Sequence, residues 1–302
     1  YKCKQDIKRW CKACHHCALV KPGGESHKAP LVRIPVGAPM EKIAADLVGP
    51  VSTTTRGNTY ILVVEDYFTK WVEAYPIASK DAYDTADKIC SEWIPRMGIP
   101  LQFHSDQGGE FCNQVLDGIC EILNIDKTRT TTYHPSSDGL IERSNRTILS
   151  MLRVLSQEHK KEWDELLPLA LMAYRSTIQE STGNTPAMML FGRDISMPLD
   201  LQFERLSQEP DYQCPTQYVQ WLQNSCRSAY TIARENLYKS AVRQKRNYNR
   251  AAQTRKFERG DWIYLRDFVE EKKKLGLKYK GPVLVVGLYN DTSLRVQANP
   301  DA

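Results

Sequence analysis

Three acidic residues occupy positions from which a reactive pocket can be built. Asp46 follows the apolar run Ile43-Ala44-Ala45, Asp106 follows Leu101–Ser105 and precedes Gly108-Gly109, and Glu142 falls one turn into a stretch of helical spacing. Any one of them alone reads most simply as a turn or cap residue. Brought together, three carboxylates repel one another unless cations neutralise them. Mg²⁺ favours such oxygen ligands and usually keeps waters and substrate phosphates as its remaining ligands. Two such ions about 4 Å apart activate a water or a 3′-hydroxyl and stabilise the leaving oxygen of a phosphodiester. The spacing is 59 residues between Asp46 and Asp106 and 35 between Asp106 and Glu142.

The elements that must position these acids follow from the apolar pattern. Lys42–Val48, Thr59–Asp66 and Trp71–Ile77 are short apolar runs compatible with strands, with the turn signal Gly57-Asn58 between the first two. Asp81–Met97 has helical spacing (Ala82, Ala86, Ile89, Trp93) that Gly98 and Pro100 end. Leu101–His104 is a further strand, Phe111–Leu123 a helix, and Lys127–Thr132 a β-branched run. Helices are expected over Asp138–Gln157 and Lys161–Thr177, followed by an irregular, Pro-containing stretch at 178–216. Three strands and then strands alternating with helices predict an α/β core with a mixed sheet. Tyr218–Asn249 has helical period and turns basic at its end, and 257–297 holds short strands separated by turns, as in a small β-barrel.

The helix carrying Glu142 has two faces. At 100° per residue, Arg146 and Arg153 fall within about 40° of Glu142, whereas Ile148, Met151, Leu152 and Leu155 lie on the far side, where a core would want them. Acid and guanidinium groups thus share the open face, and Arg pairs well with phosphate. Leu149 also lies on that face and is apolar, so charge alone does not describe it. Asn145 lies at the border, within reach of a phosphate or a base edge.

Charge is distributed unevenly along the 302 residues. Residues 1–35 hold 8 Lys/Arg and 2 Asp/Glu, residues 36–216 hold 16 and 26, and residues 217–302 hold 17 and 8, giving net charges of +6, −10 and +9. An acidic centre between basic ends suits a cation held by the middle and a polyanion held by the ends. With 41% hydrophobic and 25% charged residues the composition is globular, which excludes a collagen-like, fully disordered or coiled-coil chain. Apolar stretches such as Tyr60–Val64 are far below the ~20 residues that span a membrane, and the first thirty residues hold no apolar signal core. Tyr1 in place of an initiator Met predicts a fragment or a processed product. The nine cysteines form no even framework. Cys90, Cys112, Cys120, Cys214 and Cys226 read as small buried hydrophobes, and a reducing cytosolic or nuclear compartment fits.

The segments HSDQGGEF (104–111) and YHPSSDGLIERSNRTI (133–148), with the D…D-35-E spacing, resemble the catalytic core of a retroelement integrase, closest to the Gypsy-type LTR retrotransposons and their retroviral counterparts. The likeness runs over nearly the whole chain. It implies an RNase H-like catalytic core over 40–200, with a mixed five-stranded sheet. Before that core it implies a partial zinc-binding helical module (1–22) and a linker (23–39). After it come a helical linker (201–254) and a basic SH3-like barrel (255–302). It implies trimming of 3′ ends of element DNA and transfer of the exposed hydroxyls into host DNA, with two Mg²⁺ or Mn²⁺ ions. Asp46 with Asp106 would hold one ion, and Asp46 with Glu142 the other.

By the same resemblance, Asn145 and Arg146 contact the element's DNA end and Tyr133 stacks on or wedges against DNA from a mobile loop. The family often has Gln at position 136 and a polar residue at 140, where this chain has Ser136 and Leu140. His104 is assigned to the sheet rather than to a metal. Cys14-x-x-Cys17 has zinc-knuckle spacing but is half a site, since the family's two His lie upstream and none precedes Cys14 here. FERGDWIYLRD and KYKGPVLVVGLYNDTSLRV resemble the terminal barrel, with Val283 where the family has an aromatic residue; Lys272–Lys274, Lys278 and Lys280 would bind phosphates without sequence choice. The implied partners are element and host DNA and further copies of the chain in a tetramer, with no membrane. The implied setting is the nucleus, with element particles in the cytoplasm. Two alternatives stay open: a captured, catalytically silent relic that binds DNA or a partner, and an RNase H-like nuclease.

Overall fold

The computed structural model describes residues 3–20, 36–130, 141–158, 162–198, 200, 214–250, 257–267, 276–290 and 293–298. Two compact units are present, residues 33–242 and a second unit that joins 1–32 to 243–302.

The larger unit is built on a mixed sheet of five strands: β1 (Lys42–Val48), β2 (Tyr60–Asp66), β3 (Val72–Ile77), β4 (Gln102–Ser105) and β5 (Asp126–Arg129), in the order β3-β2-β1-β4-β5. The first three strands pair antiparallel, and β4 and β5 continue the sheet in parallel. β1 and β2 read as nearly continuous apolar runs because both faces of the sheet are covered. Successive side chains point to opposite faces. Ile43, Ala45, Leu62, Val64 and Phe103 therefore pack on one side with Trp93, Phe111 and Leu116, while Ala44, Ile61 and Val63 pack on the other with Ile148, Leu152, Leu166 and Leu171.

The first face is covered by one long helical stretch, α3 (Ala82–Lys88), a π segment (Ile89–Trp93) and α4 (Ile94–Met97), and by α5 (Gln114–Ile122). The π segment falls just before Pro95, which has no N–H for the helical ladder. Gly98 ends the stretch at φ 87°, as the sequence predicts. α5 starts later than predicted, because Asn113 caps it by accepting from the Leu116 N–H. The second face is covered by α6 (Ile141–Glu158) and α7 (Trp163–Arg175), close to their expected bounds.

Two expectations need correction. The stretch 178–216 is not wholly irregular: α8 (Pro186–Phe191) starts at Thr185, whose side chain accepts from the Met188 N–H, with Pro186 at the first helical position. Short length hides such a helix from periodicity. Of the five cysteines expected to be buried, only Cys120 is; Cys90, Cys112 and Cys226 are half-buried and Cys214 is exposed. The long helix α9 (Pro215–Asn249) begins three residues before the predicted start, and its small residues Ala229 and Ala233 seat against Phe68 and Met189.

In the smaller unit, α1 (Cys3–Ala13) and α2 (His15–Val20) accompany an antiparallel sheet of β6 (Trp262–Arg266), β7 (Tyr279–Asn290) and β8 (Ser293–Ala298). The Lys278 N–H donates to the Leu19 carbonyl at 3.0 Å, and His15 Nδ1 lies 2.9 Å from the Tyr264 hydroxyl. Strands β7 and β8 run longer than their sequence signals, with bulges breaking the register. Among the described residues this is a three-stranded sheet, so closure into the expected barrel remains an expectation. No helix among them is long and apolar enough to cross a membrane.

Gly192 ends α8 at φ 71°, and a Cβ there would fall 2.7 Å from Cys226 Sγ and 2.8 Å from Leu222 Cδ1 on α9. Gly192→Ala should therefore cost about 1–2 kcal/mol or more and lower the denaturant midpoint of the 33–242 unit.

Candidate active site

The parallel pairing of β1 and β4 sets the site. Ala44 lies opposite His104 and Ala45 opposite Ser105. Asp46 and Asp106 are the next residues on each chain, at the same end of two neighbouring strands. Paired residues of parallel strands share a face, so both aspartates extend from the face covered by α6 and α7. Both are half-buried.

Each aspartate is held from its own side. Asp46 Oδ1 accepts from the Leu47 N–H at 2.9 Å, and Asn145 Nδ2 donates to Asp46 Oδ2 at 2.7 Å. Asp106 Oδ1 accepts from the Gly108 N–H at 2.8 Å. Behind it, the Thr130 N–H and hydroxyl both donate to the Ser105 carbonyl, and Gln107 donates to the Thr130 carbonyl at 2.8 Å. The loop after β1 is fixed to the start of α7. Asp164 accepts from Thr54 and Asn58, Glu162 accepts from Thr55, and Trp163 donates to the Ser52 carbonyl.

Glu142 sits in the first turn of α6, three residues before Asn145 and hence on the same side of the helix. Its side chain is exposed, as are those of Arg146 and Arg153, while Ile148 and Leu152 are buried. The two faces read from the sequence are thus present. Among the described residues no three His, Cys, Asp or Glu side chains stand together closely enough to hold an ion.

Asn145, a residue expected at the DNA end, stands against Asp46. Its side chain is 7% exposed and its amide is committed to Asp46. Its position at the helix border decides this, since the border meets the end of β1. His104 is buried in β4 with Nδ1 2.9 Å from Thr128 Oγ1, which agrees with its assignment to the sheet. Tyr133 lies outside the described residues. In the smaller unit, Lys278 is half-buried, Lys280 is exposed and forms an ion pair with Asp267, and neither Cys14 nor Cys17 is in a disulfide.

The sequence reading passed over Glu65. It lies on β2 opposite Ala44, on the face of the sheet that also carries Asp46, and it is fully buried. Ser144 Oγ donates to Glu65 Oε2 at 2.6 Å and lies 3.0 Å from the Tyr174 hydroxyl. Burial pushes the Glu65 carboxyl up to about 7, against the opposing pull of Lys70, the Ser144 hydroxyl and Arg143, while Asp66 adds to the rise. Burial likewise lowers the Lys70 ammonium and raises the Tyr174 phenol. Nothing in the apolar alternation Ile61, Val63 announces an acid at position 65; only its place in that alternation marks it as inward-facing.

Residues 37–135 match the integrase core domain family. The chain is 28% identical over 260 residues to the retrovirus-related Pol polyprotein from transposon 412 of Drosophila melanogaster, covering 86% of this chain and 21% of that protein. It is 31% identical over 297 residues to the Gag-Pol polyprotein of avian reticuloendotheliosis virus, covering 98% of this chain and 24% of that protein. It thus spans about a fifth to a quarter of the length of these relatives. A chain of the simian T-cell lymphotropic virus intasome, solved with PP2A regulatory subunit B56 gamma, superposes with a TM-score of 0.56 at 15% identity over 97% of this chain and 87% of that one. The fold is the RNase H-like fold of that class. The chain carries an integrase core domain, homologous to those of retroviral and transposon Pol polyproteins, as in the Gypsy-type element 412.

The raised Glu65 carboxyl has a sign. Between the unfolded value of about 4.5 and about 7, the folded state binds the extra proton, so this contribution to stability is full below that window and is lost as pH rises through about 7. Glu65→Gln should flatten the fall in thermal midpoint between pH 5 and 8, read by calorimetry across that range.

Proposed function

We propose that this protein joins the 3′ ends of element DNA to target DNA, after trimming those ends, as a polynucleotidyl transferase. The observation that carries this reading is the in-register placement of Asp46 and Asp106 at the ends of adjoining parallel strands, with the helix of Glu142 bonded to Asp46 through Asn145. The donor set is all hard oxygen, which suits Mg²⁺ or Mn²⁺. Asp46, Asp106 and Glu142 would hold two such ions, which supply charge to activate the attacking oxygen and to stabilise the leaving one. Asn145 and the Leu47 N–H fix the orientation of the Asp46 carboxylate. Asp106 is fixed likewise by Gly108. Arg146 and Arg153, exposed on the Glu142 side of α6, pair with DNA phosphates in this reading, and Tyr133 stacks on or wedges against DNA.

The partners in this reading are element-end DNA, host target DNA and further copies of the chain in a tetramer, acting in the nucleus. Cys14 and Cys17, with zinc-knuckle spacing, would supply two ligands to a zinc ion. The basic terminal segment, as an SH3-like barrel, grips DNA through Lys278 and Lys280. The competing reading, a captured derivative that binds DNA without joining it, draws on the exposed Glu142, which belongs to no three-ligand cluster among the described residues.

Strand joining into plasmid DNA separates the two readings. Asp106→Asn removes an anionic ligand and little volume, so joined product should vanish while DNA binding persists; full activity in this variant would refute the site. Joining by the unaltered protein supports the transferase; binding without joining supports the derivative. Reversing charge at Lys278 and Lys280 together should weaken binding of all sequences and reduce the slope of log K against log salt by roughly 2. An unchanged slope would remove these lysines from the DNA path.

A further inference from the structure

Two consecutive residues of α6 are bonded to two neighbouring strands. Asn145 donates to Asp46 on β1, and Ser144 donates to Glu65 on β2, with the Tyr174 hydroxyl of α7 closing on the same Ser144 oxygen. The register puts Val63 opposite Asp46 and Ala44 opposite Glu65, so Glu65 lies one strand over and two residues along from Asp46 on one face. A single hydrogen bond lets a helix pivot about it. Two bonds from residues about 100° apart on the helix, to anchors on different strands, do not.

Glu65 is an expensive anchor. It is fully buried, and its Oε1 has no hydrogen-bond partner among the described residues. An aliphatic residue at this point would continue the Ile61, Val63 pattern without a desolvation cost. What the carboxylate provides is a short, strong acceptor for the one hydroxyl of α6 that lies between Glu142 and Asn145.

The geometry points to Glu65 as a positioning residue: through Ser144, with Tyr174 as third member, it fixes the rotation of the first turn of α6, and so the direction in which Glu142 leaves the helix. This assignment rests on the reading of Asp46, Asp106 and Glu142 as the reactive site. Glu65 does not touch the reacting atoms. It acts through the helix, and it does so without spending an oxygen of Asp46, which the site needs.

The test uses the full chain and four variants: Glu65→Leu, Glu65→Gln, Ser144→Ala and Tyr174→Phe. Single-turnover joining at saturating DNA, measured well below the thermal midpoint of each variant, should fall at least about tenfold in Glu65→Leu and Ser144→Ala, with DNA affinity unchanged. Glu65→Gln keeps an acceptor for the Ser144 hydroxyl and should retain most of the rate, and Tyr174→Phe should fall between. Backbone hydrogen exchange over residues 141–150 supplies a readout that needs no activity. It should quicken in Glu65→Leu and Ser144→Ala and stay slow in Glu65→Gln. Unchanged exchange in both Glu65→Leu and Ser144→Ala overturns the positioning role, whatever the rates. If Glu65→Leu does not fold, Ser144→Ala, which removes one oxygen, decides by the same two measurements. If the unaltered chain joins no strands, the functional reading falls, and the exchange result still decides whether Glu65 holds the helix.

Discussion

The pairing of Ala45 with Ser105 across β1 and β4 is the constraint on which the site depends. Backbone hydrogen bonds place two chain segments 60 residues apart at adjoining strand ends, and their shared face aims both following aspartates the same way. A slip of one residue in either strand would turn one aspartate into the opposite layer, among Phe103 and Trp93. The apolar layers on both sides disfavour that slip, because it would force Ile43 into the space that Ala44 fills on the opposite face. The packing of the core and the placement of the two carboxylates are therefore one requirement.

The third acid comes from a different kind of element. α6 reaches the sheet by its own apolar stripe, Ile148 and Leu152, and its first turn is then fastened by polar side chains. The bonds from Ser144 and Asn145 are both to carboxylates, which are stronger acceptors than neutral oxygens. The first turn of the helix is thus fastened to two strands of the sheet. The cost is concentrated in Glu65 and Lys70, both buried and both displaced in titration by desolvation. Stability has been exchanged for placement, as expected where buried polar groups surround the proposed site.

Much of this was legible in the chain. The strands β1 to β4 fall within a residue or so of their apolar runs, Gly98 ends its helix where a glycine should, and the two faces of α6 follow from helical spacing alone. The short helix α8 was not legible, because six residues carry too little period. The exposure of the half-buried cysteines was not either, since a small thiol suits both environments. Asn145 was read as lying at the border of the two faces; only the tertiary structure shows its amide bonded to Asp46.

The sequence by itself determined the order and type of the elements, the acids at their ends and the charge asymmetry, because these depend on neighbours within a turn or a strand. The tertiary structure alone decided which acids share a face, that Asn145 serves Asp46, and that Glu65 anchors Ser144. Those contacts join residues 79 and 99 positions apart, and no local periodicity records which distant side chain will fill the space beside another.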